Sequence, residues 1–204
     1  YNPSNNEMVF PAAAFIIPGY DDEDLDEAVM YGYAGASYFG HEITHGFDDQ
    51  GRLYDARGNL RNWWTPEDSA AFADQAALIV KQFNSYEPLP GYHINGEATQ
   101  GENIADLGGI EIGITAFKKS KAFKENKTIN GFTPMERFFM GYALSWMYEM
   151  RQESLRTQLM TDVHAPAKYR VIGPLGNVDE FYKTYHVKAG DGMFRADSLR
   201  VRIW

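Results

Sequence analysis

The segment Tyr38-Phe39-Gly40-His41-Glu42-Ile43-Thr44-His45-Gly46-Phe47-Asp48 constrains this chain more than any other. His41 and His45 stand one helical turn apart, so on a helix both imidazoles leave the same face. Two imidazoles so placed can bind one divalent ion. Glu42, beside His41, is then positioned to hold a water on that ion. Taken alone, the pattern also fits a helix carrying two exposed histidines. The rest of the chain has to decide.

A zinc site built for hydrolysis needs three protein ligands and an open position for water. The third ligand should come from a separate element. Gly101-Glu102-Asn103-Ile104-Ala105-Asp106-Leu107-Gly108-Gly109 supplies the candidate. On a helix Glu102 and Asp106 point the same way. Glu102 can complete the metal shell. Asp106 can accept the free ring N–H of a ligand histidine and so fix its tautomer. Acidic pairs at this spacing are usually solvated, but these sit among Ile104, Ala105, Leu107 and two glycines, where a carboxylate needs a reason.

The 204 residues suffice for one domain with a sizeable core. A hydrophobic fraction of 44% with 15% aromatics is globular rather than disordered. A formal charge of −9 argues against nucleic-acid or anionic-membrane partners. No apolar run is long enough to span a membrane. Without cysteine there are no disulfides and no thiolate ligands. The opening Tyr1-Asn2-Pro3 follows no initiating Met or signal peptide, and we expect a fragment of a longer protein.

Along the chain, residues 7–17 are expected to be extended, with Pro11 confining them to an edge or irregular strand able to pair with a peptide. The acid run of residues 21–27 suits the exposed first turn of a helix from about Leu25 to His45. Small residues within it allow close helix packing. Asp48 or Asp49 can support the histidines, or both can be plain turn residues. Thr65-Pro66-Glu67-Asp68 starts a helix reaching about Phe83. The helix carrying Glu102 begins at Thr99 or Gly101 and continues through Ile110, Ile114 and Phe117. Lys118 to Lys127 reads as solvated surface. Thr133-Pro134 starts another helix, with Phe138, Phe139, Tyr142, Ala143, Trp146, Met147 and Met150 on its apolar face. His93 and His186 have no ligand-like spacing and read as structural. His164, between Asp162 and Pro166, is either an oxyanion donor or a capping histidine. Arg170 is at this stage an ordinary arginine.

With these blocks in view, the chain resembles the neprilysin and endothelin-converting enzyme family of zinc metallopeptidases (M13), and within it a bacterial, PepO-like member. The resemblance rests on HEITHGFDDQG at 41–51, GENIADLGG at 101–109, Thr161-Asp162-Val163-His164-Ala165-Pro166 with Tyr169-Arg170-Val171-Ile172-Gly173, and Arg202-Ile203-Trp204. It implies a mainly α fold with a small β portion, an incomplete thermolysin-like zincin catalytic domain. Residues 1–204 would be its C-terminal part, and the helical N-terminal cap domain would lie outside this chain.

It further implies one zinc per chain held by His41, His45 and Glu102, with Glu42 as general base and Asp106 orienting His41. His164 would be the transition-state donor and Arg170 the grip on a substrate backbone carbonyl. Trp146 and Ile16 would line the pocket for the side chain after the cleaved bond. The implied activity is endopeptidase cleavage of oligopeptides. The competing reading is a fragment that binds zinc or peptide without turnover. Two positions depart from the animal pattern: Val201 and Val187 stand where cysteines are typical. These departures lead us to expect a bacterial member. They leave the compartment open, with export (periplasmic or lipid-anchored) favoured over the cytoplasm. The family's Asn-Ala-aromatic substrate motif would fall before Tyr1.

Overall fold

The computed structural model describes residues 1–17, 19–21 and 24–203. The first long helix, α1, spans residues 27–47 without a break. It is α-helical at Glu27–Met30, π-helical at Tyr31–Gly40, α-helical again at His41–Thr44, and closed by a 3-10 turn at His45–Phe47. Asp26 caps it, accepting from the backbone N–H groups of Ala28 and Val29. The helix therefore starts slightly later than expected. Of the acid run, Asp22 and Glu23 lie outside the described residues, as does Trp204 at the other end. In the π stretch the Ser37 hydroxyl donates to the Gly32 carbonyl five residues back, at 3.3 Å.

α2 (Pro66–Asn84) is capped by the Thr65 hydroxyl, as its Thr-Pro start predicts. α3 (Gln100–Phe117) carries Glu102 and Asp106. The lysine-rich segment after it contains a short helix, α4 (Lys121–Glu125). α5 (Pro134–Leu144) opens on a reciprocal capping box between Thr133 and Glu136. It ends before the expected apolar face is complete, so Met147 is 77% exposed and Met150 is also solvent-facing. α6 (Gln152–Thr161), α7 (Ala167–Leu175) and α8 (Asp179–Tyr185) follow.

The β portion is small: among the described residues it is four isolated antiparallel bridges, at Asn2 with Glu7, Tyr54 with Leu60, Leu89 with Tyr92 and Ile129 with Phe132. The strand expected at residues 7–17 does not form. Ala12–Phe15 instead makes a 3-10 turn directly after Pro11. Proline fixes its φ near the value a helical start needs, and the three alanines oppose no turn. The rings of Phe10, Phe15 and Phe39 pack together there, with centroids 4.4 to 6.3 Å apart. This apolar cluster anchors the segment without a ladder.

The main core is built from α2, α3, α5 and α7 around Phe83, Ile104, Ile110, Phe117, Phe138 and Tyr142, all buried. α3 runs through its middle and crosses α1 at very short range. A Cβ placed on Gly40 would lie 2.6 Å from the Gly109 carbonyl oxygen, and one on Gly109 would lie 2.5 Å from the Ala36 carbonyl oxygen. The two backbones are in contact, and only glycine fits. The crossing sits immediately before His41 on one helix and after Asp106 on the other. The last residues return to the core: Val201 N–H donates to Asn177 Oδ1 at 3.0 Å and Arg202 N–H to Gln75 Oε1 at 2.7 Å. No helix among the described residues is long and apolar enough to cross a membrane.

Replacing Gly40 with Val should force the two helices apart. Overpacking of this kind destabilises by about 1–3 kcal/mol or more. Urea unfolding reads the change, and an unchanged midpoint would show that the helices separate freely.

Candidate metal centre

α1 and α3 present their polar faces to each other just beyond the glycine crossing. His41 Nε2 lies 3.0 Å from His45 Nε2 and 3.3 Å from Glu102 Oε2, while His45 Nε2 lies 3.6 Å from Glu102 Oε1. Among the described residues these three form the group able to hold a metal ion. His93 and His186 are not part of it. His186 instead ends α8 in the left-handed conformation, with φ 53°.

The remaining ring nitrogens are committed to carboxylates. His41 Nδ1 is 2.8 Å from Asp106 Oδ1 and His45 Nδ1 is 2.7 Å from Asp48 Oδ2. A carboxylate can only accept, so each imidazole donates from Nδ1 and its neutral form keeps a lone pair on Nε2. Both lone pairs then face each other and a carboxylate oxygen. Three acceptors at van der Waals range need a positive charge between them. Zinc at about 2.0–2.1 Å from each donor of a tetrahedral site would set them about 3.3 Å apart. The observed separations bracket that value, so the donor set fits the ion in number, chemistry and spacing.

Without metal, protons take this role. Burial opposes a charged His41, yet its hydrogen bonds to Asp106 and Glu102 prevail and raise its pKa to about 9. Burial likewise opposes the charged Glu102, but hydrogen bonds from His164 and His41 hold its pKa far below the usual carboxylate range. Asp106 is fully enclosed. Against that burial, the Arg170 charge and the His41 bond keep it ionised.

A second layer surrounds the trio. Arg170 donates from Nε and Nη2 to the two Asp106 oxygens, both at 2.7 Å, and from Nη2 to Glu102 at 3.3 Å. Its guanidinium lies 3.9 Å above the Trp146 ring centroid. The Tyr142 hydroxyl donates to the Arg170 carbonyl at 2.8 Å. His164 reaches Glu102 Oε2 with Nε2 at 3.2 Å and is held through Nδ1 by Asp162 at 2.7 Å. Its hydrogen bond to Glu102 raises its pKa against partial burial. Glu42 is partly exposed beside His41, and its Oε2 accepts from the Tyr1 nitrogen.

Eight of the nine residues singled out from sequence thus gather here or border the cluster. Ile16 does not: it is 56% exposed, and its backbone carbonyl accepts from the Tyr33 hydroxyl at 3.5 Å. The sequence left Asp48 and Asp49 undecided. Asp48 is the partner of His45, and its other oxygen accepts from the backbone of Gln50 and Gly51 at 2.9 and 2.6 Å. The i,i+3 spacing from His45 was the available signal.

The model of peptidase family M13 matches residues 1–201. The chain belongs to peptidase family M13. Among M13 relatives, it is 38% identical over 203 residues to neprilysin-21 of Caenorhabditis elegans, covering 95% of this chain and 26% of that protein. It is 37% identical over 204 residues to neutral endopeptidase of Lactobacillus helveticus, covering 100% of this chain and 29% of that one. The crystal structure of zinc metalloprotease ZMP1 from Mycobacterium tuberculosis, in complex with inhibitor, superposes with a TM-score of 0.91 at 41% identity, over 100% of this chain and 32% of that one. The M13 chain therefore spans between a quarter and a third of the length of these relatives.

Zinc entering this site must displace the proton that His41 holds below about pH 9. Apparent affinity should rise as pH rises toward that value, by about tenfold per unit for each proton released. Competition titrations between pH 6 and 9 measure this on the ~tenfold-per-unit scale, and a flat profile would contradict the protonated metal-free site. Asp106→Ala should weaken zinc binding by about ten- to a hundredfold. An unchanged titration would remove Asp106 from its supporting role.

Proposed function

We propose that this chain is the C-terminal part of the catalytic domain of a zinc endopeptidase acting on short peptides, with a helical cap domain elsewhere in the polypeptide. One observation carries the proposal: two imidazole nitrogens and a carboxylate oxygen converge as acceptors while separate carboxylates fix both ring tautomers. A structural zinc site would be closed and would usually use cysteine, and this chain has none.

His41, His45 and Glu102 would hold zinc, which when bound polarises a carbonyl and lowers the pKa of a water. Glu42 takes the proton of the attacking water and returns it to the leaving amine. Its place beside His41, with its carboxylate partly exposed, suits that exchange. His164, oriented by Asp162, donates to the negative charge developing on the former carbonyl oxygen. Arg170 commits Nε and Nη2 to Asp106, and its guanidinium would grip a substrate backbone carbonyl. Trp146 supports that guanidinium from below and adds an apolar wall for the substrate side chain after the cleaved bond. Family membership and relatives named neprilysin, neutral endopeptidase and zinc metalloprotease support the same reading.

The chain's share of its relatives' length favours one other reading, a piece that holds zinc or peptide without turnover. Cleavage of a quenched peptide by the full-length protein, abolished by a chelator, separates the two. In that assay Glu42→Gln should keep its zinc and lose at least about a hundredfold in rate. Parent-like turnover by this variant would refute Glu42 as the base.

A further inference from the structure

One contact at the metal centre has no part in the chemistry above. Gly101 is the second residue of α3, directly before Glu102. A Cβ on Gly101 would lie 2.7 Å from Asp49 Oδ1 and 3.3 Å from Asp48 Oδ2. Two carboxylates just past the end of α1 thus fill the space a side chain at Gly101 would need, on the first turn of the helix that carries the third candidate ligand.

Neither carboxylate is placed there by chance packing. Asp48 Oδ2 is the atom that holds His45 Nδ1 at 2.7 Å, and Asp48 Oδ1 is pinned by two backbone N–H groups. It cannot retreat without releasing the imidazole. Asp49 Oδ1 is buried with no hydrogen-bond partner, while Oδ2 accepts from Gln50 Nε2 at 2.9 Å. A buried unpartnered oxygen is expensive. The positive end of α3 offsets part of that, because the Thr99 side chain makes no cap bond to this helix.

We propose that Gly101 and the Asp48–Asp49 pair act as a spacer that sets the distance between His45 and Glu102. Through Asp48 the spacer grips one ligand, and through the backbone of Gly101 it abuts the residue next to another. Gly101 and Asp49 are positioning residues that touch neither substrate nor metal. A shift of a few tenths of an ångström at Gly101 passes to the His45–Glu102 separation, 3.6 Å here, in a site whose tetrahedral edges are set at about 3.3 Å. The inference rests on the zinc reading proposed above and adds what holds the ligand helices at their working separation.

Zinc competition titrations and cobalt(II) absorption spectra of the full-length protein test it, with circular dichroism to establish folding. Gly101→Ala should bind zinc at least about tenfold more weakly and change the cobalt spectrum. Asp49→Ala in the same chain should restore most of both, since it returns the space the methyl group takes. Parent-like zinc binding by Gly101→Ala, or a loss that Asp49→Ala does not recover, would overturn the spacer. If Gly101→Ala alone fails to fold, the double variant decides: near-parent zinc binding supports the proposal, and weakened binding overturns it. A parent protein that binds no zinc would overturn the zinc reading itself, and the spacer with it.

Discussion

Two helix backbones in direct contact set the terms for everything else in this molecule. Where α1 crosses α3, Gly40 and Gly109 leave no space for a side chain on either helix. That closeness is what lets short side chains meet just beyond the crossing. A histidine reaches only a few ångströms from its backbone, and a glutamate little further. With larger residues at the crossing, His41 and Glu102 would face each other across solvent. The core around Phe83, Phe117 and Tyr142 holds α3 from the other side, so the crossing is clamped between a packed interior and the helix it supports.

The polar cluster that results is organised by charge alternation. Arg170 neutralises Asp106, Asp106 holds His41, and His41 faces Glu102, which Arg170 and His164 also approach. Each buried charge has an opposite neighbour at hydrogen-bonding distance, which burial requires. The positive member is itself held by an aromatic face and by the Tyr142 hydroxyl on its backbone. The cluster is therefore a connected network, and an effect at one member reaches the others.

Much of the site was legible because its information is local. The spacing of His41 with His45, and of Glu102 with Asp106, declares a shared helix face before any fold is known. Thr65-Pro66 and Thr133-Pro134 mark their helix starts for the same reason. What stayed hidden depends on distant partners or on backbone choices with no clear residue code. The stack of Arg170 on Trp146 joins residues far apart in sequence. The choice between Asp48 and Asp49 turns on how the chain bends after His45. The 3-10 turn at Ala12–Phe15 wins over a strand because aromatic rings gather around it. Met147 and Met150 lie beyond a helix end that the apolar spacing does not mark.

The π-helical stretch at Tyr31–Gly40 has a consequence for how this segment can vary. Its coil is wider than that of an α-helix, with bonds reaching one residue further back. The stretch acts as an expansion joint, separating the angular register of Glu27–Met30 from that of His41–Thr44. A single-residue gain or loss before Gly40 can be taken up inside the joint while the imidazoles keep their bearing.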